Sequence, residues 1–438
     1  MKLLRTATRD TFRSLGVRNF RLFFTGQLIS QVGNWLTLVA QALLVLKLTN
    51  NGIALGGLAA AQFGPVLLIG PWAGLVADRS DKRKLLLIVQ TIAMAQSFTL
   101  AALAFSGHPP VLAVYGVALI GGITVAFDNP ARRAFVVEMV PTDNMNNAVS
   151  LNSALMTSSR VVGPALAGLL IATVGFGWCF LADGLSYIAV LIALWMIRTA
   201  DLNPAPVAKK AKRQVREGLR YARSVPELWV PLLMMGVVGT LSYNFQTVFP
   251  LFATRDLHGT GTTFTVLFSV VSVGALVGAL AVARRTTITV RAVAISSVAY
   301  GGAMAVMSVA PNQTVAYAIG PLLGLASIAF LTASTAIVQI ESAPHMRGRV
   351  LALQAMLFLG STPIGGPIVG WVSQQFGARY GIGVGAAAAL AAGAFGLVKA
   401  GAVDGHDRRK LFRRGPVQDD TVAAEVELVE DSVDALVS

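Results

Sequence analysis

The chain has 438 residues, of which 55% are hydrophobic and 13% are charged. Because soluble proteins carry about 25% charged residues, this composition excludes an ordinary soluble globular protein. The formal net charge of +14 raises the question of a nucleic-acid partner. Most basic residues, however, lie between long apolar runs, as expected of loops that orient a membrane protein and contact anionic lipid. We therefore expect membrane lipid, and no nucleic acid, as a partner.

Apolar runs of about 20 residues, the length needed to cross a bilayer, recur twelve times along the chain. Because a helix satisfies its own backbone hydrogen bonds in lipid, each run is predicted to be a transmembrane helix. The predicted spans are residues 20–46, 52–77, 85–106, 110–127, 147–173, 177–198, 228–252, 263–283, 290–310, 314–340, 348–373 and 379–399. The predicted fold class is an all-α membrane protein.

The spans fall into two groups of six, separated by a polar segment. The predicted order is a cytoplasmic N-terminal segment (1–19), an N-terminal six-helix bundle (20–198), a cytoplasmic linker (199–227), a C-terminal six-helix bundle (228–399) and a cytoplasmic tail expected to be disordered (400–438). Within the linker, residues 217–223 fit either a short amphipathic helix on the inner leaflet or a flexible tether.

The two halves repeat the same landmarks in the same order. Gly163-Pro164 followed by Phe176-Gly177 recurs as Gly366-Pro367 followed by Phe376-Gly377. A repeat in one orientation, six spans apart, predicts two bundles related by a pseudo-two-fold axis along the membrane normal. Placing the N-terminus in the cytoplasm puts nearly all Lys and Arg residues on that side, so both termini are predicted to be cytoplasmic.

No enzyme chemistry is apparent in the sequence. No Gly-xxxx-Gly-Lys-Ser nucleotide loop occurs, and the histidines lie in or near predicted loops. The only cysteine, Cys179, excludes a disulfide framework and a cysteine-cluster metal site. We therefore expect neither an enzyme, nor a metal, nor a cofactor.

A highly charged turn, residues 74–84, joins predicted spans 2 and 3. Its charges cannot lie in lipid, so the turn is placed at a membrane face. An ordinary topology-setting loop would account for the charge, but not for the spacing from Gly74 to Asp78 and Arg79. That spacing, continued by Lys82 and Arg83, resembles the signature loop of the major facilitator superfamily.

The resemblance covers about residues 15–400 and implies the major facilitator fold. Asp81, the run from Asp128 to Arg132, and the run from Arg160 to Gly168 resemble a bacterial exporter subgroup that includes the enterobactin exporter and macrolide-efflux proteins. The localisation implied is the bacterial cytoplasmic (inner) membrane.

The superfamily also implies a cytoplasmic gate. The acid at the Asp78 position faces the start of helix 11, here residues 346–349, and the Arg79 position pairs with an acid at the inner end of span 4. Such contacts form when the cytoplasmic side is shut and break when it opens. The second half has Val282 where an equivalent acid would stand. The expected gate residues are Gly74, Asp78, Arg79, Lys82, Arg83, Asp128 and Arg132.

Span 5 carries Gly163, Pro164 and Gly168, which resemble a motif of drug–proton antiporters. Proline removes a backbone hydrogen bond and bends a helix, while glycines permit close packing. The resemblance associates this kink with export. The alternative is an ordinary proline kink, because Gly and Pro are frequent in membrane helices.

Two ionisable residues, Arg160 and Asp183, lie inside predicted spans. A charge at the centre of the bilayer costs about 2.5–3.5 kcal/mol, so each is expected to face a wet cavity or a partner. The hypothesis is that Asp183 or Asp128 exchanges protons, and that Arg160 attracts an anionic substrate group or tunes an acid. The alternative is that these residues hold helices together.

Span 1 carries polar residues at spacings of 4, 3 and 7, which place them on one helical face. We interpret this stripe as lining the substrate path; the alternative is hydrogen bonding between helices, worth about 0.6 kcal/mol on average. With two polar residues of span 7, the cavity candidates are Gln27, Gln31, Asn34, Gln41, Asn244 and Gln246.

The sequence therefore predicts a monomeric secondary transporter that uses protons to export an amphipathic small molecule, either a drug or a siderophore-like metabolite. Two alternatives stay open. One is a solute importer on the same fold, and the other is a non-transporting membrane sensor or scaffold.

Overall fold

A computed structural model describes residues 12–203, 214–282, 288–343 and 346–413. These residues are helical almost throughout and include no β-strand. Within them, twelve segments are long and apolar enough to cross a membrane. The prediction of an all-α protein with twelve transmembrane helices is confirmed.

The N-terminal half consists of six unbroken helices joined by short turns. They are α1 (Arg18–Thr49), α2 (Gly52–Arg79), α3 (Lys82–Phe105), α4 (Val111–Glu138), α5 (Met145–Thr173) and α6 (Phe176–Met196). Short 3-10 turns at Arg13–Gly16, Thr142–Asn144 and Thr199–Asp201 flank them. Because consecutive helices are long and the turns short, neighbours in sequence run antiparallel.

Side-chain caps explain where the turns of this half lie. Asn51 accepts a hydrogen bond from the Ile53 amide at 2.8 Å and starts α2. Asp81 accepts one from the Lys84 amide at 3.1 Å and starts α3. Both satisfy amides that have no partner in the first turn of a helix. Asp81, which the sequence marked only by resemblance, therefore fixes the turn after Arg79.

The C-terminal half begins after a linker helix, α7 (Gln214–Ser224), so the part of the linker that the structure describes is helical. The helices that follow are α8 (Pro226–Leu241), α9 (Phe245–Leu251), α10 (Gly261–Val282), α11 (Val290–Ser308), α12 (Gln313–Glu341), α13 (Arg347–Leu359), α14 (Thr362–Phe376) and α15 (Ala378–Arg413). A π-helical turn, Phe252–Asp256, follows α9.

Two of the predicted spans are broken in this half. Span 7 consists of α8 and α9, and span 11 consists of α13 and α14. Pro363 explains the second break, since proline lacks an amide donor and disfavours helix in the residue before it. At the first break side chains replace backbone partners: the Tyr300 hydroxyl donates to the Ser242 carbonyl at 2.9 Å. Both spans lie where they were predicted, and the breaks inside them were not predicted.

The two halves contact each other mainly through two helix pairs, α2 with α14 and α5 with α10. These are spans 2 and 11, and spans 5 and 8, so in each pair the second span of one half meets the fifth span of the other. This arrangement is that of the predicted major facilitator fold, with two six-helix bundles related by a pseudo-two-fold axis. Some parts of the sequence prediction lie outside the described residues. They include the N-terminal segment before residue 12, the basic residues Arg284 and Arg285 after span 8, and the tail after residue 413.

Candidate functional site

The bundle has two ends, which we call the Gly52 end and the Asp78 end after the two ends of α2. At the Gly52 end, α2 and α14 lie almost backbone to backbone. A Cβ atom added to Gly56 would lie 2.7 Å from the Gly366 carbonyl oxygen. The Gly52 amide also donates to Gln374 Oε1 at 2.8 Å. Glycine permits this approach because it has no side chain, as at many helix interfaces in membranes.

The second pair of helices, α5 and α10, meets at the same end. Gly168, from the predicted span 5 motif, packs directly against the Thr265 side chain. Trp35 of α1 and Phe268 of α10 place their ring centroids 5.8 Å apart across the interface. Arg255 donates to the backbone carbonyl of Asn50, which joins the halves at the turn before α2. The Gly52 end is closed by packing and by polar contacts between the halves.

The Asp78 end lacks this packing along α2. Around Gly64, Gly70 and Gly74, no atom would lie within 4 Å of an added Cβ. Asp78 and Arg79 are exposed, and neither makes a hydrogen bond or salt bridge with any described residue. The same helix therefore packs closely against the other half at the Gly52 end, while the space beside its glycines toward the Asp78 end is open.

Two further residues of the charged turn bind within the N-terminal half. Lys82 Nζ lies 3.0 Å from Glu138 Oε1, with the two side chains only 10% and 6% exposed. Arg83 donates to the carbonyl oxygens of Leu194 and Trp195, at 2.7 and 2.9 Å, and so satisfies the end of α6. Glu138 was missed by the sequence analysis because the predicted span 4 ended at residue 127, whereas α4 continues to Glu138.

The buried carboxylate of Asp128 pairs with Arg132 at 2.6 Å, one helical turn along α4. Gln90 of α3 also donates to Asp128, at 2.7 Å. Arg132 in turn lies 3.5 Å from Gln27 Oε1 of α1. Arg79 is not a partner of Asp128 here, so the predicted Arg79–Asp128 pair stays a prediction for a state with the Asp78 end shut.

Asp183 is completely buried inside the N-terminal half. Its Oδ2 accepts hydrogen bonds from Thr37 of α1 at 2.6 Å and from Ser97 of α3 at 2.7 Å. Ser186 lies 3.5 Å from its other oxygen, and Gly33 of α1 leaves room for both side chains. No described cation forms a salt bridge with this carboxyl, which is therefore held by hydroxyl groups alone.

A polar cavity of about 80 Å³ lies within the N-terminal half. Asp128 lines it directly, and Thr37, the hydrogen-bond donor to Asp183, lines it as well. The cavity therefore reaches Asp128 itself and the side chain that donates a hydrogen bond to Asp183. Other polar residues around it are Asn34, Gln41, Gln62, Gln90, Gln96, Thr124 and Tyr187.

The predicted polar stripe of α1 divides between its two interpretations. Asn34 and Gln41 line the cavity, and Gln41 accepts a hydrogen bond from Gln62 at 2.7 Å. Gln27 and Gln31 are buried and hydrogen-bonded to each other at 3.1 Å. One part of the stripe therefore faces open space and the other part lies in the packed helix interface.

Arg160 lies apart from this cavity, at the interface between the halves. Its guanidinium carbon stands 5.3 Å from the centre of the Trp35 ring. Gly163, one turn along α5, packs against Trp35 as well, which brings α5 close to α1. Arg160 is half-buried and makes no hydrogen bond or salt bridge with the described residues.

The span 7 candidates lie at the break between α8 and α9. Asn244 is buried and its side-chain amide donates to the Thr240 carbonyl at 2.6 Å, while its side-chain oxygen accepts no hydrogen bond from the described residues. Gln246 is half-buried and makes no hydrogen bond with described residues. Tyr243, within the break, donates from its hydroxyl to the Ser327 carbonyl at 2.5 Å. Hydropathy alone gave no signal for this break.

A family model described as a transmembrane secretion effector matches residues 10–432. The chain is 24% identical to the staphyloferrin A transporter of Staphylococcus aureus (strain NCTC 8325 / PS 47), over 82% of this chain and 90% of that protein. It is 23% identical to macrolide efflux protein A of Streptococcus pyogenes, over 79% and 87%. Among solved structures, a bacterial homologue of the human lysosomal transporter Spinster superposes with a TM-score of 0.66 at 16% identity, over 93% of this chain and 99% of that one.

Proposed function

Because the chain belongs to the transmembrane secretion effectors of the major facilitator superfamily, a family of multi-pass membrane transporters, we propose that it exports an amphipathic small molecule in exchange for protons. The relatives support this proposal, since one is named a macrolide efflux protein and another a staphyloferrin A transporter. A drug or a siderophore-like metabolite is the proposed cargo, carried by a monomer in the bacterial inner membrane.

The proposed orientation puts the Asp78 end in the cytoplasm, together with both termini. Arg18, Arg83 and Arg198 all lie at this end. Cytoplasmic loops carry the excess of Lys and Arg in membrane proteins. In this orientation the structure corresponds to an inward-open state, in which the substrate enters from the cytoplasm.

The observation that carries the proposal is the one-sided contact along α2. Glycines at one end of this helix pack against α14, whereas an added Cβ at the glycines of the other end would find open space. Rocking the two halves about this contact would open the Gly52 end and shut the Asp78 end, which is alternating access. Asp78 and Arg79 are exposed in the open state and available to latch the closed one.

Protons are proposed to act through the buried acids of the N-terminal half. Asp183 has hydroxyl partners and no described counter-ion, so uptake of a proton relieves the cost of a buried charge. Asp128 shares its charge with Arg132 and reaches the same cavity. A proton that enters this cavity from either side changes the charge inside the half that carries the gate.

The test uses inside-out vesicles from cells that express the protein. A radiolabelled macrolide serves as the amphipathic probe, and an acidic lumen supplies the proton gradient. Export predicts accumulation of the probe that a protonophore abolishes and that Asp183→Asn reduces strongly. The exposed Asp143→Asn is the matched control and should transport normally. Accumulation of the probe that does not depend on the proton gradient would contradict proton coupling. Uptake only into right-side-out vesicles would favour the alternative of a solute importer.

A further inference from the structure

Arg160 is a charged residue that the proton pathway does not use. It stands in the membrane-spanning helix α5, where an unpaired charge is costly. The two buried acids of the proposed proton pathway already have partners. Asp128 binds Arg132, and Asp183 binds Thr37 and Ser97. A guanidinium kept only to join helices would be expected to pair with one of these carboxylates, and Arg160 pairs with neither.

An aromatic ring of the N-terminal half lies against this guanidinium instead, and a ring of the C-terminal half packs next to it. Trp35 of the N-terminal half presents its ring face to Arg160 at 5.3 Å. Phe268 of the C-terminal half packs next to Trp35. Arg160 therefore lies where the two halves meet, which is where alternating access places a substrate.

We propose that Arg160 is the anion-binding residue of the central substrate site, and that the preferred cargo is an amphipathic anion with a planar, apolar body. This inference rests on the proposed transport function. The guanidinium has donors in a planar fork that matches a carboxylate, and Trp35 holds its plane without using those donors. The aromatic rings from both halves provide flat surfaces for the apolar body.

Binding to the purified full-length protein tests the site separately from transport. The probes are radiolabelled naphthoate and naphthyltrimethylammonium, which share one ring system and differ in charge. Native protein is expected to bind naphthoate at least about tenfold more tightly than the cation. Arg160→Gln is expected to weaken naphthoate binding about tenfold or more, and Arg160→Lys to weaken it less, since it keeps the charge and loses the fork.

Arg223→Gln is the matched control. Arg223 stands 5.0 Å from the centre of the Trp229 ring, so this change removes a similar cation–π contact on an exposed helix end. It should leave naphthoate binding unchanged. If Arg160→Gln does not fold, the anion site is still tested by the preference of the native protein for naphthoate over the cation and by the naphthoate affinity of Arg160→Lys.

The outcomes separate the inference from the proposed function. Equal or tighter binding of the cation by native protein, no binding of naphthoate, or native affinity in Arg160→Gln would overturn the anion site. Flux of a macrolide through the native protein would then still support export. Conversely, naphthoate binding that depends on Arg160, with no flux of any probe in vesicles, would overturn transport and retain the site.

Discussion

The Gly52 end and the Asp78 end differ in whether their contacts join the two halves or stay within one half. At the Gly52 end the contacts join the two halves, through Gly56 against Gly366 and through the amide of Gly52 on Gln374. At the Asp78 end the strong polar contacts stay within one half: Lys82 binds Glu138. The linker helix likewise binds the C-terminal half, where Glu217 pairs with Arg349 at 2.7 Å.

This difference indicates how each half can move as a unit. Ion pairs inside a half keep the helix ends of that half together while the halves separate. Contacts between halves are made of glycine packing and a few hydrogen bonds, which can part without leaving a buried charge. The following predictions test this division, beginning with the largest expected effect.

Breaking the buried ion pair of the Asp78 end should destabilise the N-terminal half most. Lys82→Met leaves Glu138 without this cation, and breaking a buried pair costs about 3–5 kcal/mol. Thermal unfolding in detergent measures the loss. Lys84→Met is the control, because Lys84 is 78% exposed and lies 4.0 Å from Asp81. Equal melting temperatures for the two variants would contradict the role given to Lys82.

Adding a methyl group to the closed end should separate the halves. Gly56→Ala places a Cβ 2.7 Å from a backbone oxygen of α14, and overpacking of this kind costs about 1–3 kcal/mol. We expect slower transport and a lower melting temperature. Gly64→Ala, on the same helix with open space around it, should melt like the native protein. A larger effect at Gly64 than at Gly56 would reverse the assignment of closed and open ends.

Removing the charge of Asp78 should change the cycle and leave the observed state intact. Asp78 is exposed and without a described partner here, so Asp78→Asn should not alter thermal stability. If the acid caps the start of α13 in the shut state, that state loses about 0.3–2 kcal/mol and transport slows. Asp81→Asn is the control, because asparagine also caps a helix. A native transport rate in Asp78→Asn would contradict the proposal that Asp78 stabilises the shut state.

The smallest effect is expected from the linker contact. Glu217 is 47% exposed and Arg349 is 29% exposed, so solvent screens their attraction. Glu217→Gln should lower the free energy of unfolding by about 0–0.5 kcal/mol. A melting curve compared with that of Tyr221→Phe, which removes the acceptor for the Ala343 amide, checks this. A loss above about 1 kcal/mol would show that the linker has a larger part in holding the half together.

Hydropathy was sufficient to predict the twelve spans, because each helix is long and faces lipid over much of its surface. The charged turn was predicted between spans 2 and 3, and the chain does turn there, between the end of α2 at Arg79 and the start of α3 at Lys82. Glu138 was not found as the partner of Lys82, since α4 continues beyond the apolar run and a helix outside lipid has no hydropathy signal.

The breaks in spans 7 and 11 were also beyond sequence pattern. Both broken segments are apolar throughout, and the groups that satisfy them come from distant helices, such as the Tyr300 hydroxyl on Ser242. Contacts between residues far apart in sequence produce no local sequence pattern from which they could be predicted. The hydroxyl groups that bind Asp183 could not be predicted for the same reason, because Thr37 and Ser97 lie on two other helices.

The central claim is that the two ends open and close in opposition, and distances between spin labels test it most directly. In a Cys179→Ala background, one pair of labels is placed at exposed Lys84 and Gly348, and the other at exposed Thr173 and Thr262. When substrate and a proton gradient drive the cycle, the Lys84–Gly348 distance should shorten while the Thr173–Thr262 distance lengthens. Two distances that stay constant, or that change in the same direction, would contradict alternating access in this protein.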